Sequence, residues 1–146
     1  MGGPLGRGDS SLTERTPVGR HRLFQDGPVL LFEHHGNFDL LDAQQATAVY
    51  AEIVKQHGYL LLVLDFTHGG ELDPKSRRHL VDWGKQNFHR TCIAAFGGNI
   101  AFRTTFRLVI NAVRLLSPQA LTAQFCSDCK EALAWLKSCE ARFTAA

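Results

Sequence analysis

The sequence predicts an α/β protein: a single mixed, mostly parallel sheet of about five strands with four helices, in the order ββαβαβαβα. Three observations carry this expectation. Apolar runs of strand length alternate with longer amphipathic segments along the chain. Residues that start and stop helices stand at the boundaries between them. Two of the runs, "YLLLVLDF" and "TCIAAF", are continuously apolar, as expected of strands covered on both faces of a parallel sheet.

The elements follow in order. "MGGPLGRGDSSLTERTPVG" is rich in Gly, Ser and Pro and has no apolar period, so residues 1–19 read as a disordered tail and residues 20–146 as one domain. The "RGD" within the tail is a product of its composition. "HRLFQ" and "VLLFEHHG" flank Asp26-Gly27-Pro28, the chemistry of a hairpin turn. His34 and His35 are adjacent on a strand and point to opposite faces. Asp39 or Asp42 caps a helix over "LLDAQQATAVYAEIVKQH", with Leu41, Val49 and Ile53 on one face and Gly58 as the stop. "YLLLVLDF" then runs into a His-Gly-Gly loop. Asp73-Pro74 opens a second helix, because Asp is a good N-cap and Pro a good first helical residue. "TCIAAF" is a strand, "NIAFRTTFRLVINAVRLL" a third helix and "LTAQFC" a last strand. "DCKEALAWLKSCEARF" closes the chain with Asp128 and Glu131 in capping-box positions.

Bulk properties exclude several classes. With 146 residues, 45% apolar and 21% charged, the chain has the size and composition of one globular domain. A net charge of +2 gives no basis for nucleic-acid binding. No apolar run reaches the roughly 18 residues of a membrane span. No signal pattern opens the sequence, so Cys92, Cys126, Cys129 and Cys139 are expected to be reduced thiols and the compartment to be the cytoplasm.

Four groups of residues are candidates for chemistry. On the third helix Arg103, Thr104, Arg107, Asn111 and Arg114 form one stripe, beside an apolar surface wider than a sheet-packed helix needs. That surplus is either covered by a neighbour or offered to a second copy, a partner or a lipid surface. Cys126 and Cys129 form a CxxC at a strand–helix junction, where a helix dipole would favour a thiolate; buried structural thiols are the plainer reading. Gly97 and Gly98 precede a helix, where backbone N–H groups hold anions or a tight loop needs positive φ. Asp65, His68, Glu71 and Asp73 cluster near the second helix, and catalysis would require Asp65, His68 and Glu71 to converge in a closed pocket. Lys75, Arg77 and Arg78 oppose the dipole at that helix start, at a cost of a few tenths to about 1 kcal/mol each. Either they pair with Glu71 and Asp73, or an acidic partner or phosphate docks there. No metal or cofactor signature is present, so none is expected.

The segments "LLLVLDFTHGGELDPKSRRHLVDW", "IAAFGGNIAFRTTFRLVINAVRLL" and "CKEALAWL" resemble the STAS domain, the fold of bacterial anti-sigma-factor antagonists, and within it the SpoIIAA-like branch related to lipid-binding CRAL-TRIO domains. The resemblance covers about residues 20–140. It implies a non-catalytic regulatory module that binds a protein partner through the loop and helix start at residues 68–79, with Asp73, Lys75, Ser76, Arg77 and Arg78 on the contact face. In that family a serine in an Asp-Ser-Ser-Gly-like motif is phosphorylated to release the partner. Here Pro74 stands at that serine's place, and Ser76 is a displaced candidate in the same turn. The alternative is lipid binding, peripheral membrane association or homodimerisation through residues 100–116, with Gly97, Gly98, Arg103, Arg107 and Arg114 facing an anion or lipid.

Overall fold

A computed structural model describes residues 11–87, 90–116 and 121–144. Strands β1 (Thr13–Val18), β2 (His21–Asp26) and β3 (Val29–Phe38) lead to helix α1 (Leu40–His57). Then come β4 (Leu60–Leu72), α2 (Pro74–Asn87), β5 (Thr91–Phe96), α3 (Ile100–Leu116), β6 (Leu121–Phe125) and α4 (Cys129–Thr144). The six strands form one sheet in sequence order, with β1–β2–β3 antiparallel and β3–β4–β5–β6 parallel. The mixed α/β sheet with four helices is as the sequence predicts.

Two expectations are corrected. The tail expected over residues 1–19 contains β1, while residues 1–10 lie outside the described residues. Periodicity misses β1 because only Val18 in it is buried. Polar pairs hold the strand instead: Arg22 binds both oxygens of Glu14 at 3.0 Å, and Arg15 reaches Glu52 on α1 at 2.9 Å. Pro17 lies within a break in the ladder and is tolerated because β1 is an edge strand. Second, His68-Gly69-Gly70 is strand, not loop: β4 continues to Leu72, pairing His35 with His68, Gly36 with Gly69 and Phe38 with Leu72. The glycines serve close approach, since a Cβ on Gly70 would lie 2.9 Å from the Asn37 nitrogen and from the Gly36 carbonyl carbon.

The caps fall where the sequence puts them. Asp39 accepts from the Asp42 N–H at 2.9 Å, and Asp42 accepts in return from the Asp39 N–H, completing a capping box. Gly58, at φ 88°, closes α1. Asp73 accepts from the Ser76 N–H at 2.7 Å, and Asp128 from the Glu131 N–H at 2.8 Å. The buried face of α1 is made of Ala43, Ala46, Thr47, Tyr50 and Ile53, whereas Leu41 is 60% exposed.

The sheet is covered unequally. Helices α1, α2 and α3 enclose the larger core on one face, around Phe32, Leu62, Phe66 and Ile110. Helix α4 packs alone on the other, with Leu136 and Cys129 against Leu61, Val63 and Cys92. His34 points into the first core among Phe32, Phe38, Phe66 and Phe102, all with ring centroids within 5.6 Å. Its Nδ1 has no hydrogen-bond partner among the described residues. His21 is equally buried; its Nδ1 accepts from the His35 N–H at 2.9 Å and its Nε2 meets Asp42 at 3.2 Å.

Burial pushes the pKa of both rings down, that of His34 well below its usual value. The unfolded chain therefore binds protons that the fold refuses. Stability is at its full value above the unfolded histidine pKa of about 6.5 and falls as pH drops below it, by up to about 1.4 kcal/mol per pH unit for each ring kept neutral. Denaturant melts between about pH 7.5 and 5.5 should show this loss. His34→Phe, which fits the aromatic cage and removes the orphan nitrogen, should flatten the slope; an unchanged slope would place the coupling elsewhere.

Candidate functional site

Three surfaces carry the residues singled out by the sequence. The first is the start of α2. Lys75 and Arg78 are exposed and Arg77 is half-buried. None of them forms an ion pair with a described carboxylate. The Asp73 carboxylate is engaged by the Ser76 N–H as the helix cap, so pairing with Asp73 does not account for the cations. Ser76 is corrected as a contact residue: it is fully buried, and its hydroxyl donates to the Asp73 carbonyl at 2.8 Å. The same turn anchors the helix to the sheet, because the Asp73 N–H donates to the Phe38 carbonyl at 3.2 Å.

The second surface is one that sequence reasoning did not assemble. A cleft of about 720 Å³ opens over the middle of β3 and β4 and the carboxyl end of β5, beside the N-terminus of α4. Register builds it: Arg22, Glu33, Asp65 and Phe96 sit opposite one another across four strands, and His35 lies opposite His68 in the next row. Glu33 is buried and binds His35 Nε2 at 3.1 Å. The His35 and His68 rings stack at 5.8 Å with 15° between their planes. Asp65 accepts from the Thr67 N–H at 2.9 Å. Asp65 and His68 thus converge, but Glu71 does not line the cleft; its N–H donates to Asn37 Oδ1 at 2.9 Å. The cleft is open to solvent, and Asp65, His68 and Glu71 do not meet in one closed pocket. Among the described residues no group of three or more His, Cys, Asp or Glu side chains is arranged to hold a metal ion. One signal for this site was legible, a glutamate inside the apolar run "VLLFEHH"; its neighbours depend on register, which composition does not encode.

The third surface is α3 with β6. Phe102, Phe106, Val109, Ile110 and Val113 are buried, so most of the apolar arc is core. Ile100, Leu108 and Leu115 remain 79%, 61% and 84% exposed. The arginine stripe leans the other way: Arg103 and Arg107 lie over the Phe125 ring, 5.0 and 5.8 Å from its centroid. Arg114 donates to the Ala123 carbonyl at 3.3 Å. The two glycines before α3 are explained by packing. Both have positive φ, and a Cβ would lie 2.9 Å from the Thr67 nitrogen at Gly97 and 2.8 Å from Phe66 Cβ at Gly98. Asn99 caps the helix by accepting from the Phe102 N–H at 2.8 Å.

Cys92, Cys126, Cys129 and Cys139 are all buried thiols. Burial raises the Cys126 thiol pKa, with Glu131 and Asp128 adding to the effect, which is the reverse of a redox-active CxxC. Cys92 is pushed up to about 12 by burial and by Cys139 beside it.

Sheet order, crossovers and helix placement together define a STAS-type, SpoIIAA-like fold. Solved structures share it. One is an uncharacterised protein of the DUF3478 family with a SpoIIAA-like fold from Shewanella loihica PV-4, similar at TM-score 0.56 and 17% identity over 86% of this chain and 91% of that one. Another is the anti-sigma factor antagonist SpoIIAA in its unphosphorylated form, at TM-score 0.56 and 12% identity over 81% of this chain and 96% of that one. No family model and no curated protein sequence matches the chain.

The thiols give a direct check on the site. In folded protein near pH 8, a chromogenic disulfide reagent should react with all four cysteines far more slowly than with a free thiol, and stoichiometrically once guanidinium unfolds the chain. A Cys126 that reacts at the rate of free cysteine in the folded state would restore the redox reading.

Proposed function

We propose that the protein is a regulatory, protein-interaction module of the SpoIIAA-like kind, acting in a reducing compartment such as the cytoplasm, and that it binds an acidic partner surface through the first turns of α2. The observation that carries this reading is the trio Lys75, Arg77 and Arg78: cations at a helix N-terminus, opposed by the macrodipole and without a described acid to offset them. Such a placement costs stability in the free protein, and a carboxylate-bearing partner removes the cost while gaining charge-assisted hydrogen bonds. The fold of an anti-sigma factor antagonist supports a partner-binding role. Pro74 at the serine's place and the burial of Ser76 favour a constitutive face over one gated by phosphorylation in that turn. The buried thiols fit a reducing compartment.

The test is the triple variant Lys75→Glu, Arg77→Glu and Arg78→Glu, used as bait beside wild type in a quantitative cross-linking pull-down. Species captured by wild type should fall about tenfold or more with the variant, and their capture should weaken with salt. Equal recovery by both baits would remove this face.

A second reading, peripheral membrane association, is favoured by the exposed Ile100, Leu108 and Leu115 on α3. Among the described residues no helix is long and apolar enough to cross a membrane, so the contact would be interfacial. Co-sedimentation with vesicles containing phosphatidylserine should then be abolished by Leu108→Glu with Leu115→Glu. Wild-type protein that stays in the supernatant at low salt would eliminate the reading.

A further inference from the structure

The open edge of β6 and the arginines of α3 form a surface that the α2 reading does not use. Among the described residues strand β6 ends the sheet, pairing with β5 on one side only. The Cys126 N–H bonds the Ala95 carbonyl at 2.7 Å. In a parallel ladder every second residue bonds the same neighbour, so Thr122 and Gln124 also face β5, and Ala123 and Phe125 turn their N–H and C=O groups outward. The Arg114 bond to the Ala123 carbonyl comes from that open side. Next to the edge, α3 and β6 enclose a groove of about 240 Å³ walled by Phe106, Arg107, Ile110, Arg114, Gln124 and Phe125. Arg103, Arg107 and Arg114 have no ion-pair partner among the described residues.

An exposed edge strand invites another strand, and proteins commonly guard it with cations. Guarding alone leaves positive charge to repel basic chains and to select acidic ones. We propose that this edge accepts an extended acidic peptide segment of a partner, which adds as a seventh strand outside β6 with its carboxylates on the α3 arginines. Spacing supports the match. Arg103 and Arg107 are roughly 6 Å apart along the helix axis and Arg107 and Arg114 about 10 Å, while alternate side chains of a strand repeat every ~7 Å. Acids at every second residue therefore fall within reach of all three guanidinium groups. Arg114 moves from the Ala123 carbonyl to a carboxylate of the incoming strand, freeing that carbonyl to accept a backbone N–H. Main-chain bonds supply affinity without sequence preference, and the alternating acids supply the selection. This surface stands or falls independently of the α2 face.

A fluorescent seven-residue peptide of alternating Glu and Val, measured by anisotropy with the full-length protein, tests the inference. It should bind more weakly as salt rises, and at least about tenfold more tightly than the Lys–Val counterpart. Full N-methylation of the peptide, which keeps its charges and removes its backbone donors, should cost a further tenfold or so. Arg107→Glu with Arg114→Glu should abolish binding at unchanged circular dichroism and melting temperature, as should Gln in place of both arginines if the Glu pair perturbs folding. The Lys75→Glu, Arg77→Glu, Arg78→Glu variant should bind as wild type does. Equal binding of the N-methylated peptide, insensitivity to the arginine changes, loss of binding in the α2 variant, or capture of anionic vesicles with no peptide binding would each overturn it.

Discussion

The pairing of β3 with β4 is the constraint on which the other parts depend. It outruns the rest of the parallel ladder, extending to Phe38 opposite Leu72, and it does so past two breaks in register. Only glycine fits at position 70, where its backbone nearly touches that of Gly36–Asn37. Directly beyond the last pair stand Asp39 and Asp73, the N-caps of α1 and α2. Two helices therefore start from adjacent strand ends, and the angle of one is tied to that of the other. The same extension aims His34 into the core and holds His35 against His68 at the rim of the cleft.

How much of this was legible depends on the kind of signal. The continuous apolar runs of β4 and β5 and the caps at Asp39, Gly58, Asp73 and Asp128 are local, and local chemistry placed them correctly. β1 was missed because its order comes from Arg22–Glu14 and Arg15–Glu52, contacts between residues that carry no apolar period. His68-Gly69-Gly70 was read as a loop because paired glycines usually mark turns; here they mark a close strand crossing. The cleft was invisible for a different reason. Glu33, His35, Asp65 and His68 are brought together by register, and a shift of one residue would send each to the opposite face.

The charges tell a similar story at longer range. Sequence spacing grouped Arg103, Arg107 and Arg114 into a stripe beside an apolar arc, and suggested that both would meet one surface. The fold separates them: the arginines lie over Phe125 and the β6 edge, while Leu108 and Leu115 face away with no cover among the described residues. A helical wheel states which residues share a face, but the neighbouring strand decides what each face is used for. At α2 the opposite holds. The cations there have no ion-pair partner among the described residues.

One consequence follows from how α2 is held. It packs between α1 and α3, with Ser76 and the side-chain-free Gly84 buried and Leu80, Val81 and Trp83 half-buried against the core. Its ties include the Asp73 cap at one end, a Thr47 hydroxyl to His79 Nε2 contact of 2.9 Å on α1 and the Trp83 ring against Tyr50. A helix with so few fully buried side chains is expected to open at a fraction of the global unfolding free energy. Its amides are then expected to exchange faster than those of α1, and a protein that grips its first turn would slow them without altering the core beneath.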